Sequence, residues 1–282
     1  MASAAAAPSR APVESEPPTG VEADEIFRSS ITTGGKRLSH PSTLTLIKAV
    51  VAGFYVTFGA LAALTLYGYM KPGIGKDAAW ALASVLYPLG FLFVIFGRSE
   101  LYTENFLAPV HAVWYRRSGG AALAKLWALT LVGNLLGVAV MALLWSAEPL
   151  HLMPEPARAA FSERAVEDLA RPALAVFVGG AFAGMLINFM SWLIMSGRSP
   201  LTKVAFILGP TFLVMLLRLN HSISGGFEVL TGVLINGSGL DSLFLKWLPL
   251  AILGNAVGGL LLVAGFYYAE GKAEARHRGA LP

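Results

Sequence analysis

The stretch Arg218–Glu228, RLNHSISGGFE, places polar and charged residues inside an apolar segment that runs from Pro200 to about Leu234. A helix that crosses lipid satisfies its backbone internally, so irregular backbone at that depth is tolerated only where it lines a cavity or is buried in protein. Ionisable residues such as Arg218 and His221 are costly there and mark functional sites. The stretch therefore predicts a membrane helix that is broken near its middle.

The composition of the whole chain is that of an integral membrane protein. Of its 282 residues, 55% are hydrophobic and 13% are charged, whereas soluble domains carry about 25% charged residues. The absence of cysteine excludes disulfides, thiol nucleophiles and thiolate-held clusters. The net charge is +4, but the basic residues are scattered over loops and form no patch, so no nucleic-acid partner is predicted.

Apolar runs long enough to cross the hydrocarbon, about 20 residues each, predict an all-α protein with six transmembrane helices. The second and fifth are broken, the second by GRSELYTEN at Gly97–Asn105. The predicted spans are Thr43–Met70, Asp77–Tyr115, Ala121–Trp145, Pro172–Met195, Pro200–Leu234 and Leu243–Ala269.

The connections complete this predicted organisation. Residues 1–40 form a solvated, disordered tail, in which a short amphipathic segment could start near Glu25–Ile31. Residues 41–270 form the six-helix transmembrane domain, and residues 271–282 a second tail. Lys71-Pro72-Gly73 ends the first helix, and residues 146–171 form the longest internal loop. The Lys and Arg residues near the helix ends predict a multi-pass protein of the cell (inner or plasma) membrane with both termini in the cytoplasm.

Three landmarks recur in the two halves of the chain. Pro88 and Pro210, the breaks at Arg98 and Arg218, and two GNxxG motifs beginning at Gly133 and Gly254 lie 120 to 122 residues apart. A unit of three spans is odd, so the second copy enters the membrane inverted. Such 3+3 repeats with broken helices are typical of transporters and channels, with the site where the breaks meet. GNxxG also favours close helix packing, but packing alone leaves the matched breaks unexplained.

The polar residues of the breaks are the candidates for chemistry. His221 has an unperturbed pKa near 6.5, so it could exchange a proton or donate a hydrogen bond to a passing anion; the alternative is a satisfied structural histidine. Thr103 offers a hydroxyl in the other break. Charged residues flank both breaks and are expected to pair with one another, because buried charges pair: they are Arg98, Glu100, Glu104, Arg218 and Glu228.

Large apolar residues beside the breaks could form narrow rings that stop hydrated ions, although most such residues only pack: they are Tyr87, Phe91, Leu101, Tyr102 and Val214. No metal-ligand spacing, nucleophile elbow or phosphate-binding loop is present. The sequence therefore predicts no metal, no cofactor and no enzyme.

Several short motifs together resemble those of the formate/nitrite transporter family over about residues 36–270. They are Lys36 with His40-Pro41, ELYTEN, GNLLG, Asn188, the SGRS that ends the fourth helix, HSIS and GNAVGG. The resemblance implies an aquaporin-like protomer in a homopentamer, with one pore per protomer. It implies passage of small monovalent anions such as formate, nitrite, lactate or hydrosulfide across the lipid bilayer, often with a proton.

The resemblance also assigns roles to positions of this chain. Thr103, Asn188 and His221 fall on the substrate path, and Leu101, Tyr102, Phe91 and Val214 at the constrictions. Lys36 corresponds to a lysine of the cytoplasmic mouth, and Arg171 is the cation nearest to the outer-mouth lysine. Asn220 replaces a glutamate, Arg218 an uncharged residue and Gly225 an asparagine, which favours the YfdC-like branch of the family.

Two alternatives to an anion transporter remain at this stage. A pore for neutral solutes would resemble the aquaporins, whose two NPA motifs are absent here. A non-conducting membrane scaffold would need no continuous path and would have its breaks packed solid.

Overall fold

Helices make up the whole fold in the computed structural model, which describes residues 21 and 23–277. The α-helices, in chain order, are α1 Ala23–Leu38, α2 Ser42–Ile74, α3 Lys76–Ala83, α4 Pro88–Phe96, α5 Ala108–Trp114, α6 Gly120–Ser146, α7 Glu155–Ala170, α8 Ala173–Ser196, α9 Pro200–Leu216, α10 Ser224–Asn236, α11 Leu240–Ser242, α12 Leu248–Gly259 and α13 Gly265–His277.

Short turns of other helix types join some of these helices into longer ones. A 3₁₀ turn at Ser84–Leu86 links α3 to α4, and π turns at Leu243–Trp247 and Leu260–Ala264 link α11, α12 and α13. Within the described residues, five helices are long and apolar enough to cross a membrane: Ser42–Ile74, Lys76–Phe96, Gly120–Ser146, Ala173–Ser196 and Leu240–Ala273. Helix α9 is apolar but shorter. The prediction of an all-helical membrane protein is confirmed.

Two segments without α-helix interrupt the bundle: the first break (residues 97–107), which contains a 3₁₀ helix at Tyr102–Phe106, and the second break (residues 217–223). Both begin with the same C-terminal cap, in which a backbone N–H reaches back five residues, from Ser99 to Val94 O at 3.1 Å and from Leu219 to Val214 O at 2.9 Å. This cap needs left-handed backbone, which glycine normally supplies. Here arginine supplies it, at Arg98 (φ 52°) and at Arg218 (φ 54°).

An asparagine from a neighbouring helix holds the first break. Asn134 on α6 accepts the Tyr102 N–H at 2.7 Å and donates to Ala49 O at 2.7 Å and Glu100 O at 3.0 Å. A buried backbone group needs a partner, and a helix cannot supply one where it is broken. The amide side chain of Asn134 therefore takes the place of the missing helical bonds.

The second break is held in the same way. Asn255 on α12 accepts the Ser222 N–H at 2.8 Å and donates to Gly180 O at 2.8 Å and Asn220 O at 2.9 Å. Both asparagines belong to the GNxxG motifs, so the motif supports the breaks through its asparagine.

The glycines of the same motifs let helices approach closely. A Cβ added to Gly137 would lie 2.4 Å from Val50 O on α2, and one added to Gly258 would lie 1.8 Å from Ala181 O on α8. No side chain fits at either position. Close packing and support of the breaks are both built into GNxxG.

The prediction that the N-terminal tail is disordered is wrong for residues 23–38, which form helix α1. Its residues Ile26 and Phe27 are buried, and the Ser30 hydroxyl bonds His111 Nδ1 at 2.8 Å. The apolar contact and the buried hydrogen bond outweigh the polar composition of the segment. Residues 1–20, 22 and 278–282 lie outside the described residues, but α13 extends as far as His277, beyond the predicted start of the C-terminal tail at residue 271.

Two further predictions of connections are wrong. Helix α2 continues through Lys71-Pro72-Gly73 to Ile74, because the Gly75 N–H still reaches Lys71 O at 3.0 Å and closes the last turn over the proline. The predicted loop 146–171 contains α7. That helix buries Ala157, Ala160 and Phe161, and Gly232 on α10 lies so near that an added Cβ would be 2.1 Å from Phe161 O.

Candidate functional site

Thr103 and His221 join the two breaks at the centre of the fold. The Thr103 hydroxyl oxygen lies 2.9 Å from His221 Nε2, and both residues are fully buried. They are 118 positions apart in the chain, so only the meeting of the breaks brings them together. Thr103 and His221 were predicted to lie in opposing breaks, and the structure brings them into contact; their role on a substrate path stays a prediction.

The partners of the other ring nitrogen define the tautomer of His221. Its Nδ1 lies 3.1 Å from the Ser224 N–H and 3.3 Å from the Ile223 N–H. Backbone N–H groups only donate, so Nδ1 is the acceptor and the neutral ring carries its hydrogen on Nε2. The Nε2–H therefore donates to the Thr103 oxygen, which leaves the hydroxyl hydrogen of Thr103 free to donate elsewhere.

Two further hydroxyls extend this chain of hydrogen bonds. Ser224 Oγ lies 3.0 Å from His221 Nδ1, and the Tyr87 hydroxyl lies 2.5 Å from Ser224 Oγ. With Nδ1 as acceptor, Ser224 donates to His221 and Tyr87 donates to Ser224. All the bonds then run in one direction, from Tyr87 to the hydroxyl hydrogen of Thr103.

Asn188 contacts the first break directly. Its Nδ2 donates to Thr103 O at 2.9 Å and to Gly184 O at 2.8 Å, so it fixes the backbone that carries the central hydroxyl. Among the described residues, the buried Asn188 Oδ1 has no hydrogen-bond partner, and the same holds for Asn220 Nδ2 and Ser222 Oγ on either side of His221.

The apolar residues predicted to form rings are all buried. Phe91 presents its ring edge-on to that of His221, with centroids 5.4 Å apart, and Tyr102 packs in the same manner against Phe106 at 4.9 Å. Leu101 is fully buried, and Val214 is 1% exposed. All of them belong to one buried apolar cluster, and Phe91 brings that cluster against the His221 ring.

The acidic residues of the first break pair with cations of other elements. Glu100 lies 3.7 Å from Arg37 and 3.6 Å from Lys48, and Glu104 lies 3.5 Å from Arg37. Burial by itself would lower the pKa of the Arg37 guanidinium, but the two carboxylates outweigh it and raise that pKa. The expectation that the charges of the breaks pair with one another is wrong, because α1 and α2 supply the partners.

Helix α7 supplies the partner of the acid after the second break. Arg164 donates to Glu228 at 3.0 Å and lies 3.1 Å from Asp168, with all three side chains buried. A carboxylate at this depth needs a cation beside it. Arg164 comes from the segment predicted to be a loop.

Arg218 does not pair with Glu100, Glu104 or Glu228. It donates to Glu167 on α7 at 2.8 Å, and its guanidinium lies 4.3 Å from the centre of the Trp80 ring. Both partners of this ion pair are about 30% exposed, at 29% and 32%. Its loss therefore leaves no fully buried carboxylate.

Arg171 lies against the second break. It donates to Arg218 O at 2.7 Å and to Asn220 Oδ1 at 3.1 Å, and it lies 3.5 Å from Asp168. An arginine has donors only, so the Asn220 amide must turn its oxygen toward Arg171 and its NH₂ away.

Lys36 and Arg98 line a cavity of about 510 Å³ on the side of the fold that carries α1. We call it the α1-side cavity. It reaches the first break through Ser99, Glu100 and Glu104.

Sequence reasoning did not assign Ser224 and Tyr87 to the hydrogen bonds of His221. It also did not assign Arg164 and Asp168 to the buried ion cluster of Glu228. For α7 a signal was present, since EPARAAF (Glu155–Phe161) has a proline near a helix start and an alanine-rich core face. For Tyr87 no sequence signal exists, because its partner is 137 positions away.

Comparisons with known proteins show which family and fold the chain shares. A family model described as formate/nitrite transporter matches residues 24–269. The inner membrane protein YfdC of Escherichia coli (strain K12) is 28% identical over 87% of this chain and 80% of its own length. A probable formate transporter of Methanothermobacter thermautotrophicus is 24% identical over 79% of this chain and 87% of its own length.

Two solved structures share the fold. A pentameric formate channel with formate bound superposes with a TM-score of 0.67 at 18% identity, covering 81% of this chain and 96% of its own. An ion channel of the same family superposes with a TM-score of 0.72 at 18% identity, covering 87% of this chain and 98% of its own.

Proposed function

Because this chain belongs to the formate/nitrite transporter family, we propose that it carries small monovalent anions of weak acids across the membrane, as a channel or as a proton-coupled carrier. One observation supports this most directly, namely the buried contact between Thr103 of the first break and His221 of the second. It places hydrogen-bond donors where an anion crossing the bundle would have lost its water.

The donors compensate for a large desolvation cost. An ion moved from water into an apolar environment is strongly destabilised unless protein groups replace its hydration. The Thr103 hydroxyl hydrogen and the His221 Nε2–H can both donate to an anion, and the unpartnered Asn220 Nδ2 and Ser222 Oγ belong to the residues on either side of His221 in the chain. The surrounding Phe91, Leu101, Tyr102 and Val214 act as the constrictions that exclude hydrated inorganic cations.

Proton exchange at His221 forms the second part of the proposal. The neutral ring can pass its Nε2 proton to a bound anion only if it receives another at Nδ1. The Ser224 hydroxyl lies 3.0 Å from Nδ1 and is bonded to Tyr87, so it can supply that proton. Transfer along this chain would let the anion cross the apolar surroundings as its neutral acid. It would leave Tyr87 one proton short, and the same proton would return through His221 and Ser224 to Tyr87 when the anion leaves.

The proposed architecture has six transmembrane spans in an inverted 3+3 repeat. The matching bonds of Asn134 and Asn255 and the matching caps at Arg98 and Arg218 support it. The pentameric formate channel supports a homopentamer. The basic residues near the helix ends support a cell-membrane location with cytoplasmic termini, Lys36 at the inner mouth and Arg171 at the outer.

A non-conducting membrane scaffold is the second candidate function. The burial of residues 99–107 and 220–223 and the backbone N–H groups on His221 Nδ1 favour it. The unpartnered buried atoms of Asn188, Asn220 and Ser222 count against it, because a protein that only packs pays about 1–3 kcal/mol for each such group.

Uptake into proteoliposomes separates these functions. Labelled formate, nitrite and lactate are offered at external pH 5 and pH 7 to the wild type, His221→Phe and Thr103→Val, with His151→Asn as a control in an exposed connection. We expect faster uptake by the wild type at the lower pH, loss of uptake or of its pH dependence in His221→Phe, and slower uptake with the same pH profile in Thr103→Val. Wild-type uptake no faster than that of empty liposomes would favour the scaffold.

A further inference from the structure

Three cations that line the α1-side cavity have no carboxylate partner. Within the described part of the chain, Lys36, Arg98 and Lys203 take part in no ion pair, although Arg37 and Lys48 in the same cavity do. Lys36 and Arg98 are exposed and Lys203 is half-buried. The cavity therefore concentrates positive charge that the protein itself does not neutralise.

Arg98 and Arg218 differ in whether their guanidinium groups have a carboxylate partner. Both occupy the same left-handed position of the same cap, where a side chain costs roughly 1–2 kcal/mol of strain relative to glycine. Arg218 uses its guanidinium to bind Glu167 and to stack on Trp80. Arg98 makes no such contact with any described residue, and its strained position instead places a guanidinium at the wall of the cavity.

The charge and the size of the cavity both exceed what a monovalent anion needs. Five Lys and Arg residues line it against two carboxylates, Glu100 and Glu104, so three positive charges remain. Its volume of about 510 Å³ lies within the range of sites for small organic ligands, roughly 300–1,000 Å³. Hydroxyls of Ser29, Thr33 and Ser191 add further hydrogen-bonding groups to the wall.

We propose that the α1-side cavity is a binding site for a multivalent oxyanion, such as a phosphate compound or a dicarboxylate, held by Arg98, Lys36 and Lys203. A guanidinium binds two oxygens of one oxyanion at once, and the two lysines contribute point charges. The ligand sits beside Ser99, at the entrance to the first break. It is too highly charged to enter the apolar surroundings of Thr103, so it occupies the entrance without being transported.

Binding is measured directly, so the result does not depend on the proposed transport. Full-length protein in mild detergent is titrated calorimetrically with pyrophosphate, inorganic phosphate, succinate and acetate at one ionic strength set with chloride. Wild type is compared with Arg98→Gly and Lys203→Gln. Lys125→Gln removes one exposed positive charge outside the cavity and serves as the matched control.

We expect saturable binding of pyrophosphate or succinate at least about tenfold tighter than that of acetate, since multivalent anions meet more of the unpaired charge. Whichever of these two binds more tightly identifies the chemical class. Arg98→Gly and Lys203→Gln should each weaken binding about tenfold or more, while Lys125→Gln changes it less than twofold. Arg98→Gly relieves left-handed strain, so a melting temperature at or above that of the wild type shows that lost binding is not lost folding.

Several results would overturn the proposal. The first is the absence of saturable binding of any multivalent anion, and the second is equal affinity for acetate. The third is an affinity that Arg98→Gly and Lys203→Gln leave unchanged, and the fourth is an equal loss in Lys125→Gln, which would show attraction to general surface charge.

Discussion

Replacing Asn134 by leucine should destabilise the fold by about 2–6 kcal/mol. Leucine has nearly the same shape but makes none of the three hydrogen bonds of 2.7, 2.7 and 3.0 Å. Ala49 lies inside α2, so its carbonyl keeps a helical partner. The Tyr102 N–H and the Glu100 carbonyl lose theirs in a buried break, and each such group costs about 1–3 kcal/mol.

The assay is thermal unfolding of the purified protein in mild detergent. At about 2–4 °C per kcal/mol for a protein of this size, the melting temperature of Asn134→Leu should fall by at least about 4 °C. The melting temperature of Asn255→Leu should fall by a similar amount, because Asn255 makes the same three kinds of hydrogen bond.

Asn236→Leu is the control, since Asn236 is exposed and water can replace its bond to Ser162. Its melting temperature should change by less than about 2 °C, as is usual for exposed positions. A decrease of less than about 2 °C in the melting temperature of Asn134→Leu or Asn255→Leu would refute the assignment of the asparagines as replacements for the broken helical bonds. So would an equal fall in Asn236→Leu.

Three other perturbations have expected outcomes. Arg164→Ala leaves Glu228 buried without its cation, and the cost of roughly 3–5 kcal/mol should appear as poor expression or a much lower melting temperature. Arg218→Gly loses a partly exposed pair with Glu167 worth about 0–1 kcal/mol and relieves strain, so its melting temperature should stay within about 3 °C of the wild type. Burial would raise the pKa of Glu163, but hydrogen bonds from two lysines outweigh it and lower that pKa. The stability that these bonds give is present above the ordinary pKa near 4.3 and is lost as the pH falls through the lowered pKa. The melting temperature of Glu163→Gln should therefore lie below that of the wild type at pH 7, and the two melting temperatures should converge in acid.

Much of the fold could be predicted because a lipid environment leaves few choices. Long apolar runs must be helices, so the spans were predictable, and RLNHSISGGFE could only be a break. The pairing of Thr103 with His221 was accessible because both stand out as polar residues in otherwise apolar segments. The resemblance of short motifs to those of a known family predicted the family of the chain.

The charge partners could not be predicted, because an ion pair depends on which elements fold back onto the bundle. Arg164 and Glu167 looked like residues of a mixed loop, and Arg37 looked like part of a solvated tail. Nothing in the sequence says that α7 buries Arg164 beside Glu228, or that α1 places Arg37 beside Glu104. Composition reports how polar a segment is but not what its apolar side contacts.

Helices α1 and α7, whose contacts the sequence did not predict, also account for the difference in charge between the two breaks. The backbone of the two breaks is held by equivalent bonds from Asn134 and Asn255, so the difference between the two sides arises elsewhere. Helix α7 supplies Arg164 to Glu228 after the second break and binds Arg218, whereas α1 supplies Arg37 to the first break and no residue that the structure describes forms an ion pair with Arg98. If the breaks form the path, α1 and α7 set the charge that an anion meets on each side of it. Changes within α1 should therefore alter anion binding on that side while the bonds at His221 stay as they are.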